Sequence, residues 1–296
     1  MKEKPFSKYQ ILANAVMIIW TLAIILPFIL LFMSSITDEN TLVANGYSFF
    51  PKKFSLASYS YIIKSGGQIL KAYGVSIGVT VVGTLLNVLL SALMAYPLSV
   101  KNLPGRNVMM FFVFFTMQFN GGIVPSYIMW TGTFHIKDTI FAQLLPNFLL
   151  SAWNVMMIRT YFTTSIPDGL YEAAEIDGAS QFTIFWKIVL PLGKPILVTM
   201  GTFAGLAYWN DWTNGLYYII KNTGLYNVQN LLNQMVQNIQ FLTQSSNSNV
   251  TAAASTIPAT GIQMAIAFVA ILPIMLIFPS FQKYYAKGIA LGAVKG

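Results

Sequence analysis

A charged segment, residues 172–191, lies between two strongly apolar runs and reads EAAEIDGASQFTIFWKIVLP. It opens with Glu172-Ala-Ala, reaches Gly178 after three further residues, and closes with Ile188-x-Leu-Pro191. A pattern of this length, fixed at both ends and at an internal glycine, rarely arises by chance. The segment therefore directs the interpretation of the rest of the chain.

Its local chemistry predicts two short helices joined by a turn. Pro167 suits the first turn of a helix, and the acidic residues that follow it favour the positive end of the helix dipole. Gly178 permits a positive φ, and Ser180 is a suitable N-cap for the second helix. Phe182, Phe185 and Trp186 would give the second helix an apolar face. The small side chains of Ala173 and Ala174 would let another protein approach the backbone.

The composition places the chain in a membrane. Of 296 residues, 55% are hydrophobic and only 9% are charged, whereas soluble domains carry roughly 25% charged residues. There is no cysteine and a single histidine, His135. These counts argue against a disulfide framework, a thiolate or histidine-rich metal site and a histidine-based catalytic triad. We therefore expect no catalytic residue, no metal ligand and no cofactor in this chain.

Six apolar runs are long enough to cross a bilayer, which requires about 20 residues each. They are Ile11–Met33, Tyr73–Leu98, Val108–Trp130, Ile140–Ile158, Ile188–Tyr208 and Gly261–Phe281. The first run is too long for a signal peptide and predicts an uncleaved span. The predicted fold is all-α, a polytopic membrane protein with six transmembrane helices. Residues 243–256 are predicted to be a flexible loop, and Val228–Leu242 a short amphipathic helix.

Lysine and arginine predict the orientation of these spans. The face that carries both termini has Lys2, Lys4, Lys8, Lys101, Arg106, Arg159, Lys187, Lys283, Lys287 and Lys295. The opposite face has fewer: Lys52, Lys53, Lys64, Lys71, Lys137 and Lys221. Because basic residues favour the cytoplasmic side, both termini and loop 159–187 are predicted to be cytoplasmic. The net charge of +8 reflects this anchoring, and no basic cluster indicates nucleic-acid binding.

Two polar stretches interrupt the apolar runs and are candidates for a transport pathway. The third run contains Asn120, Gly121, Gly122 and Tyr127, and interrupted spans often line such a pathway. A packing kink between helices is an equal alternative. The fifth run ends with Trp209, Asn210 and Asp211. Asp211 is expected near the outer boundary, where water would hydrate it, as a pathway residue or an interfacial anchor.

The pattern in residues 172–191 resembles the coupling loop of ABC importer permeases of the carbohydrate-uptake, MalG-type class. Residues 118–127 also resemble the LplC-like branch of that class, whose substrates are polysaccharide fragments. The resemblance covers about residues 72–296 and implies a type I ABC importer permease fold. It predicts an N-terminal helix and external segment at 1–71, a permease domain at 72–282 with coupling loop 159–187, and a cytoplasmic tail at 283–296.

The resemblance also implies roles for individual residues. Contact with an ATPase is expected for Glu172, Ala173, Ala174, Glu175, Asp177, Gly178, Ile188, Leu190 and Pro191. The tail, with Lys295 and Gly296, is expected to reach into the ATPase dimer.

The implied partners are a second homologous permease subunit, two cytoplasmic ATPase subunits that bind ATP and Mg²⁺, an extracytoplasmic solute-binding protein and the lipid bilayer of the cell membrane. The chain has no G-x-x-x-x-G-K-[ST] sequence with which to bind ATP itself.

Two other classes of protein were considered. An ion-coupled secondary carrier needs titratable groups within its spans, and only Asp211 and Lys194 come close to that requirement. A membrane enzyme would need a convergent set of His, Asp or Glu residues, which the apolar runs lack.

Overall fold

The computed structural model describes residues 8–64, 66–244 and 259–293. Within these ranges the chain forms helices and no strand beyond an isolated bridge between Thr37 and Phe54. The all-α prediction is confirmed for this part of the chain. Predictions that fall on residues 1–7, on most of the 243–256 loop, and on Lys295 and Gly296 lie outside the described residues.

The described residues form fifteen α-helices. They are α1 (Lys8–Ser35), α2 (Glu39–Asn45), α3 (Ala57–Lys64), α4 (Gly66–Ser99), α5 (Arg106–Gln118), α6 (Ile123–Ile128), α7 (Phe141–Leu144), α8 (Ala152–Ser165), α9 (Asp168–Ile176), α10 (Gln181–Ile184), α11 (Leu190–Leu192), α12 (Lys194–Trp209), α13 (Thr213–Tyr218), α14 (Val228–Gln244) and α15 (Ala259–Ala293). Wider π-helical turns continue α6 through Met129–Thr133 and join α10 to α11 through Phe185–Val189.

The number of membrane spans differs from the prediction. In the described residues three helices are long and apolar enough to cross a membrane, or five if two bent pairs each count as one span. The bends are 109° between α5 and α6 and 78° between the α10–α11 segment and α12. Six spans are therefore not confirmed.

The fourth predicted run, Ile140–Ile158, is not one helix. Its apolar composition is continuous, but Pro146 lacks a backbone N–H and Asn147 has a φ of +68°. Both features oppose helix propagation. The chain instead forms α7, an irregular segment and then α8, whose N-cap Ser151 accepts a hydrogen bond from the N–H of Asn154.

One compact unit comprises the described residues of 8–69 and of 232–273. Within it, both carboxylate oxygens of Glu39 accept hydrogen bonds from the first turn of α15, from the N–H of Thr260 and of Gly261, each at 2.8 Å. A carboxylate at a helix N-terminus satisfies amides that have no partner inside the helix. The rings of Phe32 and Phe268 lie 4.9 Å apart in the same unit.

The second unit comprises residues 70–231 and 274–293. Its principal core joins the end of α4 to α5, α8, α9, α10 and α12. Fully buried members include Ala95, Val155, Phe162, Ile184 and Val189. Part of the 159–187 loop belongs to this core, through Phe162, Ala174 and Ile184, and is thereby fixed to the helices around it.

Large apolar side chains cover much of the helix surface. On α1, for example, Tyr9, Met17 and Trp20 are each more than half exposed. A soluble monomer rarely exposes contiguous apolar surface on this scale, so these faces suit lipid or protein neighbours.

Candidate functional site

The first arm of the loop is α9. Pro167 occupies its N-cap position with an extended ψ of 136°, and Asp168 begins the helix. The Asp168 carboxylate forms an ion pair with Lys101, which follows α4. Both side chains are more than half exposed, so this pair contributes little to stability. It nevertheless ties the start of the loop to the end of a long helix.

The turn between the arms is a Schellman motif. Gly178 has a φ of +74°, as predicted, and its N–H donates to the carbonyl of Glu175 at 3.0 Å. The next amide, of Ala179, donates to the carbonyl of Ala174 at 2.9 Å. These two bonds satisfy carbonyls that a helix end leaves open, and they need a left-handed residue at position 178. Local sequence therefore determines this elbow.

The second arm begins at the predicted N-cap. The Ser180 hydroxyl accepts a hydrogen bond from the N–H of Thr183 at 3.2 Å. The arm then runs through α10, the π-helical turn and α11. Within it, Ile188 and Leu190 are partly buried against the core, whereas Pro191 is exposed.

Gln181 connects the two arms to the helices beneath them. Its amide nitrogen donates to a carboxylate oxygen of Glu175 at 2.9 Å. Its amide oxygen accepts from the Tyr96 hydroxyl on α4 at 2.6 Å. A displacement of the loop is thereby coupled to α4 through two polar contacts as well as through the apolar core.

The outward surface of the loop, which we call the loop face, comprises Glu172, Ala173, Ile176, Asp177 and Phe182. Ile176 is 86% exposed and Phe182 is 68% exposed, so acidic and apolar groups are presented together. This combination can dock a protein surface that carries basic and apolar groups.

Ala174 does not belong to the loop face, which corrects the expectation that both alanines lie open to a partner. It is 8% exposed and packs into the core of its own chain. An α-helix has about 3.6 residues per turn, so consecutive side chains point in different directions. Of the two alanines, only Ala173 faces outward.

The candidate pathway residues of the third run form an exposed connection between α5 and α6. The N–H of Gly122 donates to the Asn120 side-chain oxygen at 2.9 Å. Gly122 has φ +88° and ψ 173°, a conformation open almost only to glycine. A Cβ at Gly121 or Gly122 would meet no atom of this chain within 4 Å. Close helix approach within this chain is therefore not the reason for either glycine.

Two aromatic candidates are packed against other rings. Tyr127 stacks on Tyr218 with ring centroids 5.8 Å apart. Trp209 is 7% exposed and its ring lies 6.3 Å from that of Tyr73. Asn210, between Trp209 and Asp211, is exposed.

Asp211 is buried, contrary to the expectation that water hydrates it. It is 5% exposed, and one carboxylate oxygen accepts hydrogen bonds from the N–H and hydroxyl of Thr213 and from the N–H of Asn214. The other carboxylate oxygen has no hydrogen-bond partner among the described residues. The side chain caps the start of α13, and the following segments fold back over it.

A buried cluster of amide side chains surrounds Asp211. The Asn227 amide donates to the backbone carbonyl of Asp211 at 2.6 Å and to the Gln143 side chain at 3.4 Å. Gln143 in turn donates to Asn230 at 3.3 Å. A further pair, Asn147 to Asn214, is joined at 3.1 Å. Sequence reasoning missed this cluster, although amides inside an otherwise apolar run were visible.

Asp138 forms a second polar anchor. One of its carboxylate oxygens accepts the backbone N–H groups of Ile220 and Lys221, both at 2.7 Å, and of Asn222 at 3.2 Å. Hydrogen bonds from these backbone groups, that of Lys221 foremost, hold the pKa of Asp138 below its usual value. The carboxylate thus fastens the segment after α6 to the segment after α13.

Comparison with known proteins agrees with this architecture. Residues 6–291 match the family described as binding-protein-dependent transport system inner membrane component. Protein LplC of Bacillus subtilis is 36% identical over 272 residues, covering 92% of this chain and 90% of the relative. This likeness agrees with the resemblance to the LplC-like branch.

Two further relatives cover nearly the whole chain. The polygalacturonan/rhamnogalacturonan transport system permease protein YtcP of Bacillus subtilis is 35% identical, over 97% of this chain and 98% of its own length. A solved bacterial ABC transporter involved in the import of the acidic polysaccharide alginate contains a chain of similar fold, with a TM-score of 0.79, 26% identity, and coverage of 95% of this chain and 100% of that one. The chain therefore belongs to the inner-membrane permease family of binding-protein-dependent ABC transport systems.

Proposed function

We propose that this chain is one permease subunit of an ATP-driven importer and that the loop face receives force from a separate ATPase. The observation that carries the proposal is the geometry of the loop. Two short helices meet at the Gly178 elbow, expose Glu172 and Ile176 together, and connect through Gln181 to α4. Such an element transmits a push at its surface to the helices because its two arms are hydrogen-bonded to each other.

The proposal assigns ATP and Mg²⁺ to two ATPase subunits and no catalytic step to this chain. A second, similar permease subunit completes the passage, and an extracytoplasmic binding protein delivers the solute. ATP closes the ATPase pair, the coupling loops approach each other, and the passage opens outward. Hydrolysis then reverses these movements, which produces alternating access.

The proposed substrate is an oligosaccharide, and specifically a fragment of a larger polysaccharide. Support comes from the relatives, since YtcP is named for polygalacturonan and rhamnogalacturonan and the structural neighbour serves alginate import. Aromatic residues make up 15% of the chain, and aromatic rings stack well on the C–H faces of sugars.

The proposed orientation places loop 159–187 and both termini in the cytoplasm. The parent chain has no cysteine, so single cysteines can be labelled cleanly. Lys187 and Lys52 are both exposed and suit the test. In intact cells an impermeant maleimide should label Lys52→Cys but not Lys187→Cys. Labelling of Lys187→Cys from outside would reverse the orientation and remove the coupling role.

The coupling role is tested by charge at Glu172. The purified complex with its partners should lose binding-protein-stimulated ATPase activity in Glu172→Lys, because the reversed charge meets a basic surface. Glu172→Gln is the matched neutral control and should lose less. Equal, wild-type stimulation in both variants, with normal assembly, would contradict the assignment.

An ion-coupled secondary carrier is the second candidate. It is favoured by the buried carboxylate of Asp211, one oxygen of which has no hydrogen-bond partner among the described residues. Because Asp211 also caps α13, Asp211→Asn is expected to lower both assembly and uptake. Two results together would favour the secondary carrier over the importer. Asp211→Asn would assemble normally but abolish uptake, and uptake by the wild-type chain would proceed without the ATPase and follow a proton gradient.

A further inference from the structure

An apolar cavity of about 480 Å³ opens among the ends of α4, α5 and α8. Its lining is apolar apart from Thr116, with Met94 and Leu98 from α4, Met109 and Phe112 from α5, and Val155 from α8. A cavity with almost no hydrogen-bonding groups suits a hydrocarbon and does not suit a sugar or a nucleotide.

Two arginines lie at one end of this cavity. Arg106 is the first residue of α5, three positions before the cavity residue Met109. The Nε of Arg159 donates to the backbone carbonyl of Leu98, another cavity residue, at 3.1 Å. Burial lowers the pKa of the Arg159 guanidinium, and the positive charge of Arg106 adds to that lowering. This end of the cavity therefore carries two arginines.

No carboxylate of the described residues neutralises these two arginines. In the described ranges the ion pairs are Lys53 with Asp38 and Lys101 with Asp168, and neither arginine pairs with a carboxylate. The Nε of Arg106 is buried and has no hydrogen-bond partner there. A buried donor without an acceptor is costly, and a pair of like charges adds to that cost. An external anion would relieve both.

We propose that this cavity and the Arg106–Arg159 pair form a binding site for an anionic phospholipid, with one acyl chain in the cavity and the phosphate on the arginines. Guanidinium groups match phosphate oxygens in paired hydrogen bonds. From Arg106 to Thr116 the α5 helix rises about 15 Å, which is about half of a hydrocarbon core of ~30 Å and so the depth of one leaflet. Basic pockets between helices on the cytoplasmic side are suited to anionic headgroups.

The site lies next to the loop that we propose as the coupling element. Leu98 and Arg159 are joined by the hydrogen bond already described, and Arg159 lies in α8, which leads into α9. A lipid held there would fix the ends of α4 and α8 beneath the loop. The lipid site rests on the proposed function only for the assignment of that leaflet as cytoplasmic, and its test below requires no transport.

The experiment is native mass spectrometry of the full-length chain, released from mixed micelles that hold equal amounts of long-chain phosphatidylglycerol and phosphatidylethanolamine. We expect one phosphatidylglycerol to be retained in preference to phosphatidylethanolamine. Arg106→Gln with Arg159→Gln should reduce its retention by about tenfold or more, since hydrogen bonds to charged groups are strong. The control, Lys187→Gln with Lys194→Gln, removes two charges from the same side without touching the cavity.

A second variant tests the acyl chain and keeps the charge. Thr116→Phe would fill the cavity, and the Thr116 hydroxyl bonds only to the Val113 carbonyl of its own helix. It should lower retention of long-chain phosphatidylglycerol, whereas millimolar inorganic phosphate should not displace the lipid. Displacement by inorganic phosphate would identify a free-phosphate site instead. Equal retention of the two lipids, or equal loss in the lysine control, would overturn the proposal.

Discussion

The elbow at Gly178 offers a direct test of the coupling loop, through Gly178→Ala compared with Gly169→Ala. Both glycines are exposed, and a Cβ at either position would meet no atom within 4 Å. They differ in backbone conformation, because Gly178 has a φ of +74° and Gly169 lies inside α9. Because neither Cβ would clash, the comparison separates the cost of the left-handed conformation from steric effects.

The expected magnitude follows from that conformation. A left-handed backbone costs an L-residue about 1–2 kcal/mol, and the smaller entropy of an unfolded alanine offsets about 0.4–1 kcal/mol. The free energy needed to open the elbow should therefore fall by ~1 kcal/mol in Gly178→Ala, which corresponds to about a fivefold increase in the population of the open elbow. Gly169→Ala should have the opposite sign, because alanine is favoured over glycine in a helix. The gain should be below the interior value of about 0.8–1 kcal/mol, since Gly169 is the second residue of α9.

The measurement is hydrogen exchange of the full-length chain in micelles, followed at the amide of Ala179. That amide donates to the carbonyl of Ala174 only while the elbow is closed. It should exchange about fivefold faster in Gly178→Ala and no faster in Gly169→Ala. Wild-type exchange in Gly178→Ala, or faster exchange in Gly169→Ala, would refute the assignment of the elbow as a conformational requirement.

Three other predictions concern positions outside the loop. In α4, a Cβ at Gly83 would lie 2.5 Å from the packed ring of Tyr208, whereas one at Gly78 would meet no atom within 4 Å. Overpacking in Gly83→Ala should lower the free energy of unfolding of the full-length chain by about 1–3 kcal/mol, and with it the thermal midpoint, whereas Gly78→Ala should not. Equal midpoints for the two variants would contradict this. Gly122→Ala should reduce uptake because its backbone strain is about 1–3 kcal/mol, while Gly121→Ala should transport normally; equal uptake would show that the φ of Gly122 is not required. Because the folded pKa of Asp138 is lowered, the stability it contributes is present above its ordinary pKa and is lost as pH falls through the lower, folded value. Protection of the amides bonded to Asp138 should therefore persist at pH 5 and disappear in acid, and Asp138→Asn should lack this acid transition.

The sequence by itself determined the features that depend on neighbouring residues. Composition and the lengths of apolar runs established a membrane protein of helices. Gly178 and Ser180 were each assigned their local conformation correctly, because caps and turns are formed by hydrogen bonds that span only a few residues. Pro167 was expected in the first turn of α9 but lies one residue before it, at the N-cap, with an extended backbone. The family pattern was equally local, since residues 172–191 contain all of it.

Only the tertiary structure decided which side chains are buried. Ala173 and Ala174 are adjacent residues of the same type, yet α9 packs Ala174 against the core and leaves Ala173 exposed. From the sequence, Asp211 was expected at a hydrated boundary. In the structure Asn227 donates to the backbone carbonyl of Asp211 and also to the side chain of Gln143, which lies 84 residues before Asn227. Such contacts depend on how distant segments meet, and a hydropathy pattern records only how apolar each segment is.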